Sequence, residues 1–348
     1  MSRRLPVALA VVLAAAIARG DDILLVPKST VPNAIGGKLK GTIQSETAAE
    51  VRVAINGKEV AVPVDQIEDI EYTGMPQSYT IARVREANNT LAQAAESYQK
   101  AVGEAGKSPL IARDAQFGRA RVLATLAQAD PRRAPEALSA LDGFLKANPN
   151  VRQTGPALEL VAKLALRREE FDRADKAAAD LGRIARMKDR ADVLKARILA
   201  ARGKHKEAVA ALDSIIAGAP DGSARRREAQ LAKAESLAGL GQFDEAETLA
   251  KAVIRAAGAE DAEAQALANN TLGDCLKAAN KPKEALLAYL RTDILYPRDK
   301  EQHARALSEV VRLFRRLKQD DRAEEALARL KQDFPSSPYT AALASPGR

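Results

Sequence analysis

A short motif ending in alanine recurs at a nearly constant interval through most of this 348-residue chain. Its six copies end at Ala137, Ala174, Ala208, Ala246, Ala285 and Ala323. The intervals between these alanines are 37, 34, 38, 39 and 38 residues. A period of this length means that one small unit is stacked repeatedly and that each unit contacts mainly its neighbours. The pattern therefore excludes a fold built around one central core.

Apolar residues follow each alanine at helical spacing. After Ala208, for example, Leu212 and Ile215 come four and seven residues later and share one helix face. In four copies a proline stands twelve residues after the alanine and ends the helix, because it has no N–H: Pro149, Pro220, Pro297 and Pro335. Aromatic residues make up only 3% of the chain, which favours closely packed helices over a large β core. With a less regular first unit at 79–103, we predict seven helix pairs over residues 79–340.

These units resemble the tetratricopeptide repeat family. The turn Gly241-Gln242-Phe243-Asp244-Glu245-Ala246 fits the family's Gly-x-Tyr-like turn and small residue, and Leu272-Gly273 fits its first helix. Several copies lack the turn glycine, and the spacing is often longer than the family's 34 residues. The resemblance implies a helix-turn-helix solenoid whose concave face binds extended peptides.

The closing segment 334–339, Phe-Pro-Ser-Ser-Pro-Tyr, and the earlier Tyr296-Pro297 also resemble the last repeats of certain bacterial periplasmic proteins. These are the Tol-Pal-associated and outer-membrane-assembly tetratricopeptide proteins. The resemblance implies a scaffold or adaptor role in the bacterial cell envelope. Neither the lipidated cysteine nor the N-terminal coiled coil of those families is present, so only this general role carries over.

Period-two patterning sets residues 21–74 apart from the helical repeats. Apolar residues alternate between Lys38 and Tyr72, which predicts strands with one buried face. Asn56-Gly57 favours a type I′ turn, so we expect a hairpin over 51–64. With a first strand at 23–26, the segment resembles a five-stranded SH3-like or Sm-like small β barrel. Residues 75–78 would link it to the solenoid, and 341–348 would form a C-terminal tail.

The first twenty residues have the pattern of a secretory signal peptide. Arg3 and Arg4 precede an apolar run from Leu5 to Ala18, and small residues follow it. We expect cleavage after Gly20 or Ala18, and hence an exported periplasmic or secreted protein without a membrane anchor. The net charge of +8 falls to +5 without Arg3, Arg4 and Arg19. This modest excess points to acidic protein segments or anionic envelope polymers as partners.

Most catalytic and metal-binding chemistry has no residues to support it. The chain has one Cys and two His, no phosphate-binding loop and no nucleophile elbow, so we predict no enzyme activity, metal or cofactor. No cluster of aromatic and basic residues indicates nucleic-acid binding. We expect His205 to plug a turn between helices, His303 to lie at the surface, and Cys275 to pack as a small hydrophobic residue.

The candidate binding residues lie on the predicted first helix of each pair. Their distances to the repeated alanine put them on the concave face: Arg190, Arg197, Glu228, Glu235, Asn270, Asp274, Arg305, Arg312, Arg315 and Arg316. Arg305, Arg312 and Arg316 are suited to hold an acidic segment, since arginine binds carboxylates through two N–H groups. The adjacent cations Arg315 and Arg316 repel each other unless an acidic group is near. The simpler interpretation is that all these charges only keep the array soluble.

Two functions are compatible with the sequence. The first is a protein-interaction scaffold whose groove binds an extended protein or peptide segment. The alternative is a module that binds anionic cell-surface polymer through its basic charge. A homo-oligomer is compatible with either function.

Overall fold

The computed structural model describes residues 20–27, 29–106, 108–335 and 337–344. The expected signal peptide lies outside the described residues except for Gly20, as does the end of the tail, 345–348. The chain divides into two compact units. Among the described residues, one unit holds 20–45 together with 50–74, and the other holds 46–49 and the residues from Met75 onward.

The first unit is a five-stranded antiparallel sheet. Its strands are β1 (Asp21–Leu25), β2 (Lys38–Glu46), β3 (Glu50–Ile55), β4 (Lys58–Pro63) and β5 (Ile67–Glu71), with a 3₁₀ turn at Val64–Gln66. Their order across the sheet is β4-β3-β2-β1-β5. The alternating residues of the sequence form the buried face, and Ile23, Leu39 and Ile70 are fully buried. The predicted small five-stranded unit is confirmed.

The β3–β4 hairpin has the register that its turn requires. Val51 pairs with Val62 and Ile55 with Lys58, so two residues remain for the turn. These are Asn56 and Gly57, with φ angles of 49° and 77°. Positive φ at both positions is the property of a type I′ turn, and the right-handed twist of such a turn suits two antiparallel strands.

The second unit consists of helix pairs. Its helices are α1 (Gln77–Ala87), α2 (Leu91–Glu104), α3 (Pro109–Ala129), α4 (Ala134–Ala147), α5 (Thr154–Arg167), α6 (Phe171–Leu181), α7 (Lys188–Ala201), α8 (His205–Gly218), α9 (Ala224–Gly239), α10 (Phe243–Ala256), α11 (Ala262–Ala278), α12 (Pro282–Leu295), α13 (Lys300–Arg316), α14 (Asp320–Asp333) and α15 (Pro338–Ala344). The first fourteen form the seven predicted pairs, and α15 follows the last pair.

The repeated alanines mark where the two helices of a pair cross. All six are fully buried at the start of a second helix, from Ala137 on α4 to Ala323 on α14. A methyl group fits this close crossing, and a larger side chain would push the helices apart. Close packing also explains His205, whose ring lies where a Cβ on Gly239 would stand, 2.4 Å from Cε1. His205 therefore fills a space between α8 and α9.

The first helices form an inner layer. Contacts run from α3 to α5, α7, α9, α11, α13 and α15 in turn, whereas successive second helices are not packed together in this way. Helices on the inside of a curved array approach each other more closely, so the first helices line the concave face. The layer returns to its beginning, because α15 packs against α3. Nearby, Lys300 Nζ donates a hydrogen bond of 2.7 Å to the Ala87 carbonyl oxygen.

Candidate binding groove

The ten candidate residues lie on four consecutive inner helices. α7 carries Arg190 and Arg197, α9 carries Glu228 and Glu235, α11 carries Asn270 and Asp274, and α13 carries the four arginines. Within α7 and within α9 the two residues are seven apart, which places them two turns apart on one face. The surface formed by the inward faces of these helices is called the groove below.

Ion pairs connect neighbouring inner helices across the groove. Glu159 Oε2 on α5 lies 3.5 Å from Arg190 Nη1 on α7. Asp274 on α11 accepts a hydrogen bond from Arg305 on α13. Each of these pairs therefore joins an acidic group on one inner helix to a basic group on the next. Burial opposes ionisation of Glu159, but Lys163, Arg190 and Arg197 outweigh it and hold the pKa of this carboxyl below its usual value.

Three charged side chains at the centre of the groove are not engaged in this way. Among the described residues, none forms a hydrogen bond or ion pair with Arg197, Glu228 or Glu235, and the buried Nε of Arg197 has no acceptor. Glu235 is open to the water of the groove, but protein surrounds it closely. The resulting desolvation raises the pKa of the Glu235 carboxyl, although the nearby charges of Arg197 and Arg305 oppose the rise. These three groups can bind a ligand without first breaking a contact.

Two members of this trio, Arg197 and Glu228, line a cavity of about 370 Å³. Its apolar wall consists of Val193, Leu194, Leu231, Val253 and Leu267. Charged groups surround the wall, among them Glu159, Arg190, Arg197 and Glu228. An aliphatic side chain fits such a wall, and the surrounding charges can hold polar groups on either side of it.

Most C-terminal candidate residues already have partners in the chain. Asn270 is fully buried and donates hydrogen bonds to the carbonyl and side-chain oxygens of Gln302. The three remaining arginines contact acceptors at their guanidinium nitrogens: Arg312 with Glu309 at 3.3 Å, Arg315 with Glu324 at 2.9 Å, and Arg316 with Asn280 at 2.6 Å. The carboxylate that the adjacent arginines require is thus supplied by α14.

Two groove residues were not foreseen from the sequence. Glu159 lines the cavity, and Tyr339 on α15 is partly buried near Arg305 and Arg167. Desolvation and the charge of Glu301 raise the pKa of the Tyr339 hydroxyl. Counting back 15 residues from Ala174 would have placed Glu159 on the inner face. Nothing comparable identifies Tyr339, because its place depends on the return of α15 to α3.

The histidine prediction at 303 was wrong. His303 is buried, its Nε2 lies 2.7 Å from Asp293 Oδ1, and its ring meets Phe334 edge to face. The helix opening is polar, but this turn of α13 faces α12 and α14 rather than water. Cys275 is buried as expected, and desolvation raises the pKa of its thiol to about 12. In the described part of the chain, no group of His, Cys, Asp or Glu side chains is arranged to hold a metal ion.

The tetratricopeptide repeat family model matches residues 310–337, and no curated protein matches the chain. Among solved structures, the chain is similar to a tetratricopeptide repeat protein from Parabacteroides merdae, with 16% identity and a TM-score of 0.47, over 74% of this chain and 94% of that one. It is also similar to Rap protein complexed with Competence and Sporulation Factor. The identity is 14% and the TM-score 0.49, over 75% of this chain and 76% of that one. A third similar structure is that of PilW, a widely conserved type IV pilus biogenesis factor. The identity is 20% and the TM-score 0.40, over 65% of this chain and 98% of that one.

Helix pairs stacked at a near-constant period, with their first helices lining a concave face, define a helical-repeat scaffold. The family match falls on α13 and α14, and six further pairs follow the same plan. The chain thus contains a tetratricopeptide repeat at 310–337, and its helical unit has the fold of a tetratricopeptide-repeat solenoid. Proteins of this class generally bind other proteins and do not catalyse reactions. No helix in the described ranges is long and apolar enough to cross a bilayer.

Proposed function

We propose that this chain is a non-enzymatic interaction scaffold of the bacterial cell envelope that binds an extended segment of a partner protein in its groove. The observation that supports this is the unengaged trio Arg197, Glu228 and Glu235, of which Arg197 and Glu228 line the cavity with the apolar wall. Desolvation opposes ionisation of Glu235 although its side chain reaches the water of the groove, and a charge that only keeps the array soluble would not need such surroundings.

The size of the groove favours an extended chain over a folded domain. Seven inner helices that pack about 9 Å apart lie on a circle of about 10 Å radius. Each helix with its side chains takes up about 5 Å on its inner side, which leaves an opening of about 10 Å. This is about the thickness of one extended chain with its side chains.

The chemistry of the groove describes the segment. An aliphatic side chain would enter the cavity between Leu194, Leu231 and Leu267. A carboxylate near it would bind Arg197 through two N–H groups, and a lysine, an arginine or a backbone N–H would donate to Glu228 or Glu235. The proposed segment thus combines one apolar anchor with charges of both signs. The rest of its path would be lined by Arg190, Asp274, Arg305, Arg312 and Arg316.

Export from the cytoplasm belongs to the proposal. It is supported by the signal-peptide pattern of residues 1–20 and by the resemblance of 334–339 to periplasmic tetratricopeptide proteins. A test is fusion of residues 1–20 to a reporter that is active only outside the cytoplasm. Activity of the fusion is expected, and its loss when Leu9, Val12 and Leu13 are changed to Lys would identify the apolar run as the signal.

Site-specific photo-crosslinking tests the groove. A photoreactive residue replaces Leu267 at the cavity wall, and in a control chain it replaces Glu325, which is exposed on α14. In envelope extract we expect a discrete crosslinked protein from position 267 and none from 325. The change Arg197→Gln with Glu235→Gln should abolish the crosslink, while Arg315→Gln should leave it intact.

Two results would contradict the groove proposal. The first is the same crosslinked proteins from positions 267 and 325. The second is polysaccharide as the retained material, with binding that falls steeply as salt is added. The second result would favour the anionic-polymer function. The internal pairing of Arg305, Arg312 and Arg315 stands against that function, because paired cations attract a polyanion weakly.

A further inference from the structure

The outer face of α12 carries three large aliphatic side chains that remain in water. Leu287 is 59% exposed, Ile294 is 66% exposed and Leu295 is 61% exposed. Elsewhere in the described helical unit, only Ile81 and Val84 on α1 are large hydrophobic residues with comparable exposure. Single exposed aliphatic residues are common. Three on one short helix form an apolar patch, and such patches usually mark an interaction site.

The other repeats show that the fold does not require this patch. Leu287, Ile294 and Leu295 stand two, nine and ten residues after Ala285. The fifth helix pair, counted from Ala246, has Thr248, Arg255 and Ala256 at these positions. The seventh pair, counted from Ala323, has Glu325, Gln332 and Asp333. In the remaining three copies Ile184 is the only large aliphatic residue at any of the three positions. The patch is therefore particular to α12.

The spacing of the patch suits a second helix. Leu287, Leu290 and Ile294 follow one another at three and four residues, and Leu290 is partly buried. This is the spacing by which two helices pack side by side, with each side chain entering the space between those of its neighbour. An extended strand would instead match side chains at every second residue.

The charges around the patch indicate an acidic partner. Lys283, Arg291 and Arg298 are exposed, and none of them has an ion pair among the described residues. Glu284 is the one exposed carboxylate on α12. A second copy of this chain would bring these cations against each other, which disfavours self-association through this face.

We propose that the outer face of α12 is a docking site for an amphipathic helix of a partner protein, with apolar residues at three- and four-residue spacing and acidic residues beside them. The site is separate from the groove, because α12 is a second helix and the groove is formed by first helices. A scaffold with both sites can hold an extended segment and a helix at once.

The test uses a designed peptide and a variant taken from the protein's own repeats. The fluorescent peptide has Leu at the apolar positions and Glu beside them, and a matched peptide has Lys in place of Glu. The variant Leu287→Thr, Ile294→Arg and Leu295→Ala gives α12 the residues of the fifth helix pair. All three positions are exposed, so the variant and the parent should have the same unfolding temperature.

We expect the parent to bind the acidic peptide and the variant to bind it at least about ten-fold more weakly, since each aliphatic side chain loses the gain from its burial. The basic peptide should bind the parent at least about ten-fold more weakly than the acidic one. A groove variant, Arg197→Gln with Glu235→Gln, should bind the acidic peptide like the parent, which separates this site from the groove proposal.

Three results would overturn the docking proposal. One is failure of the parent to bind the acidic peptide, or equal binding by parent and variant. Another is sedimentation of the parent, but not the variant, with vesicles of anionic phospholipid, which would assign the face to a membrane surface. The third is a dimer of the parent in analytical ultracentrifugation that the variant cannot form.

Discussion

Glu235 shows at the scale of one residue what an enclosed groove does to a charge. Protein surrounds its carboxylate without offering a hydrogen bond from any described residue, so desolvation raises its pKa despite Arg197 and Arg305. A raised pKa means that the folded state binds the proton more tightly than the unfolded state does. Stability therefore falls as pH rises from the usual glutamate value of about 4.3 through the folded-state pKa.

Changing Glu235 to Gln is expected to stabilise the protein at pH 7.5, because the amide has no charge to desolvate. At pH 4 the two chains should be nearly equal, since the glutamate is then largely protonated. Urea unfolding at both pH values measures the difference. The control Glu325→Gln, at an exposed position on α14, should change stability little at either pH. Lower stability of Glu235→Gln at pH 7.5 would mean that attraction by the arginines outweighs desolvation.

The sequence predicted individual residues unevenly. Each repeated alanine was placed correctly, because six copies in register report the same close crossing. The groove residues were assigned to the right helices by the same register, but the partners of Arg312, Arg315 and Arg316 were not predictable from it. His303 was misplaced because its neighbours in sequence are polar, while its neighbours in space, Asp293 and Phe334, come from other helices.

At the scale of helices, one arrangement of three side chains occurs near both ends of the array. Tyr98 on α2 donates a 2.6 Å hydrogen bond to Glu86 on α1, which also accepts two bonds of 2.8 Å from Arg121 on α3. Tyr289 on α12 likewise donates to Asp274 on α11, which also accepts from Arg305 on α13. Each triad joins the two helices of a pair to the first helix of the next pair.

Changing Asp274 to Asn is expected to destabilise the protein by about 2 kcal/mol, because the largely buried Arg305 loses the carboxylate to which it donates a hydrogen bond. Denaturant unfolding of Asp274→Asn, Arg305→Gln and the double variant measures the coupling, which should be at least about 1 kcal/mol. The exposed pair provides the comparison: Arg315→Gln should cost no more than about 0.5 kcal/mol. Equal costs at the two sites would show that the triad does not hold the pairs together.

The sequence predicted helices and strands better than the links between them. Period, proline stops and the Asn56-Gly57 dipeptide are local signals, so seven helix pairs and the hairpin followed directly. The triads combine an acid, a tyrosine and an arginine from three helices, at separations that differ between the two copies. Such a signal appears only when first helices are aligned with those of the next pair.

At the scale of the helical unit, the main feature is the return of α15 to α3. Tyr339 and Leu343 pack partly buried against the C-terminal core, and Lys300 contacts the end of α1. Nothing in the sequence predicts this closure, because it depends on the small rotation between successive repeats summed over the whole array. Only the contacts between distant helices reveal it.

A chain that ends at Ser337 should lose the closure. Loss of two partly buried side chains is expected to cost about 2 kcal/mol and to lower the unfolding temperature by about 5 °C. Amide hydrogen exchange should become faster in α3, which loses its neighbour, and change less in α8, which is not in contact with α15. A chain that ends at Ala344 keeps α15 and is the control. Unchanged exchange in α3 would show that α15 does not hold the ends of the layer together.

Closure of the inner layer has a kinetic consequence for a segment held as proposed. An extended segment enclosed by a closed ring of helices can enter or leave only by sliding along its own length, or while the ring is open. An opening of about 10 Å lets an unfolded terminus through and stops a folded domain. A partner with folded domains on both sides of the bound segment would then stay bound even where its contacts are weak. Separation of α15 from α3 would open the ring and release it.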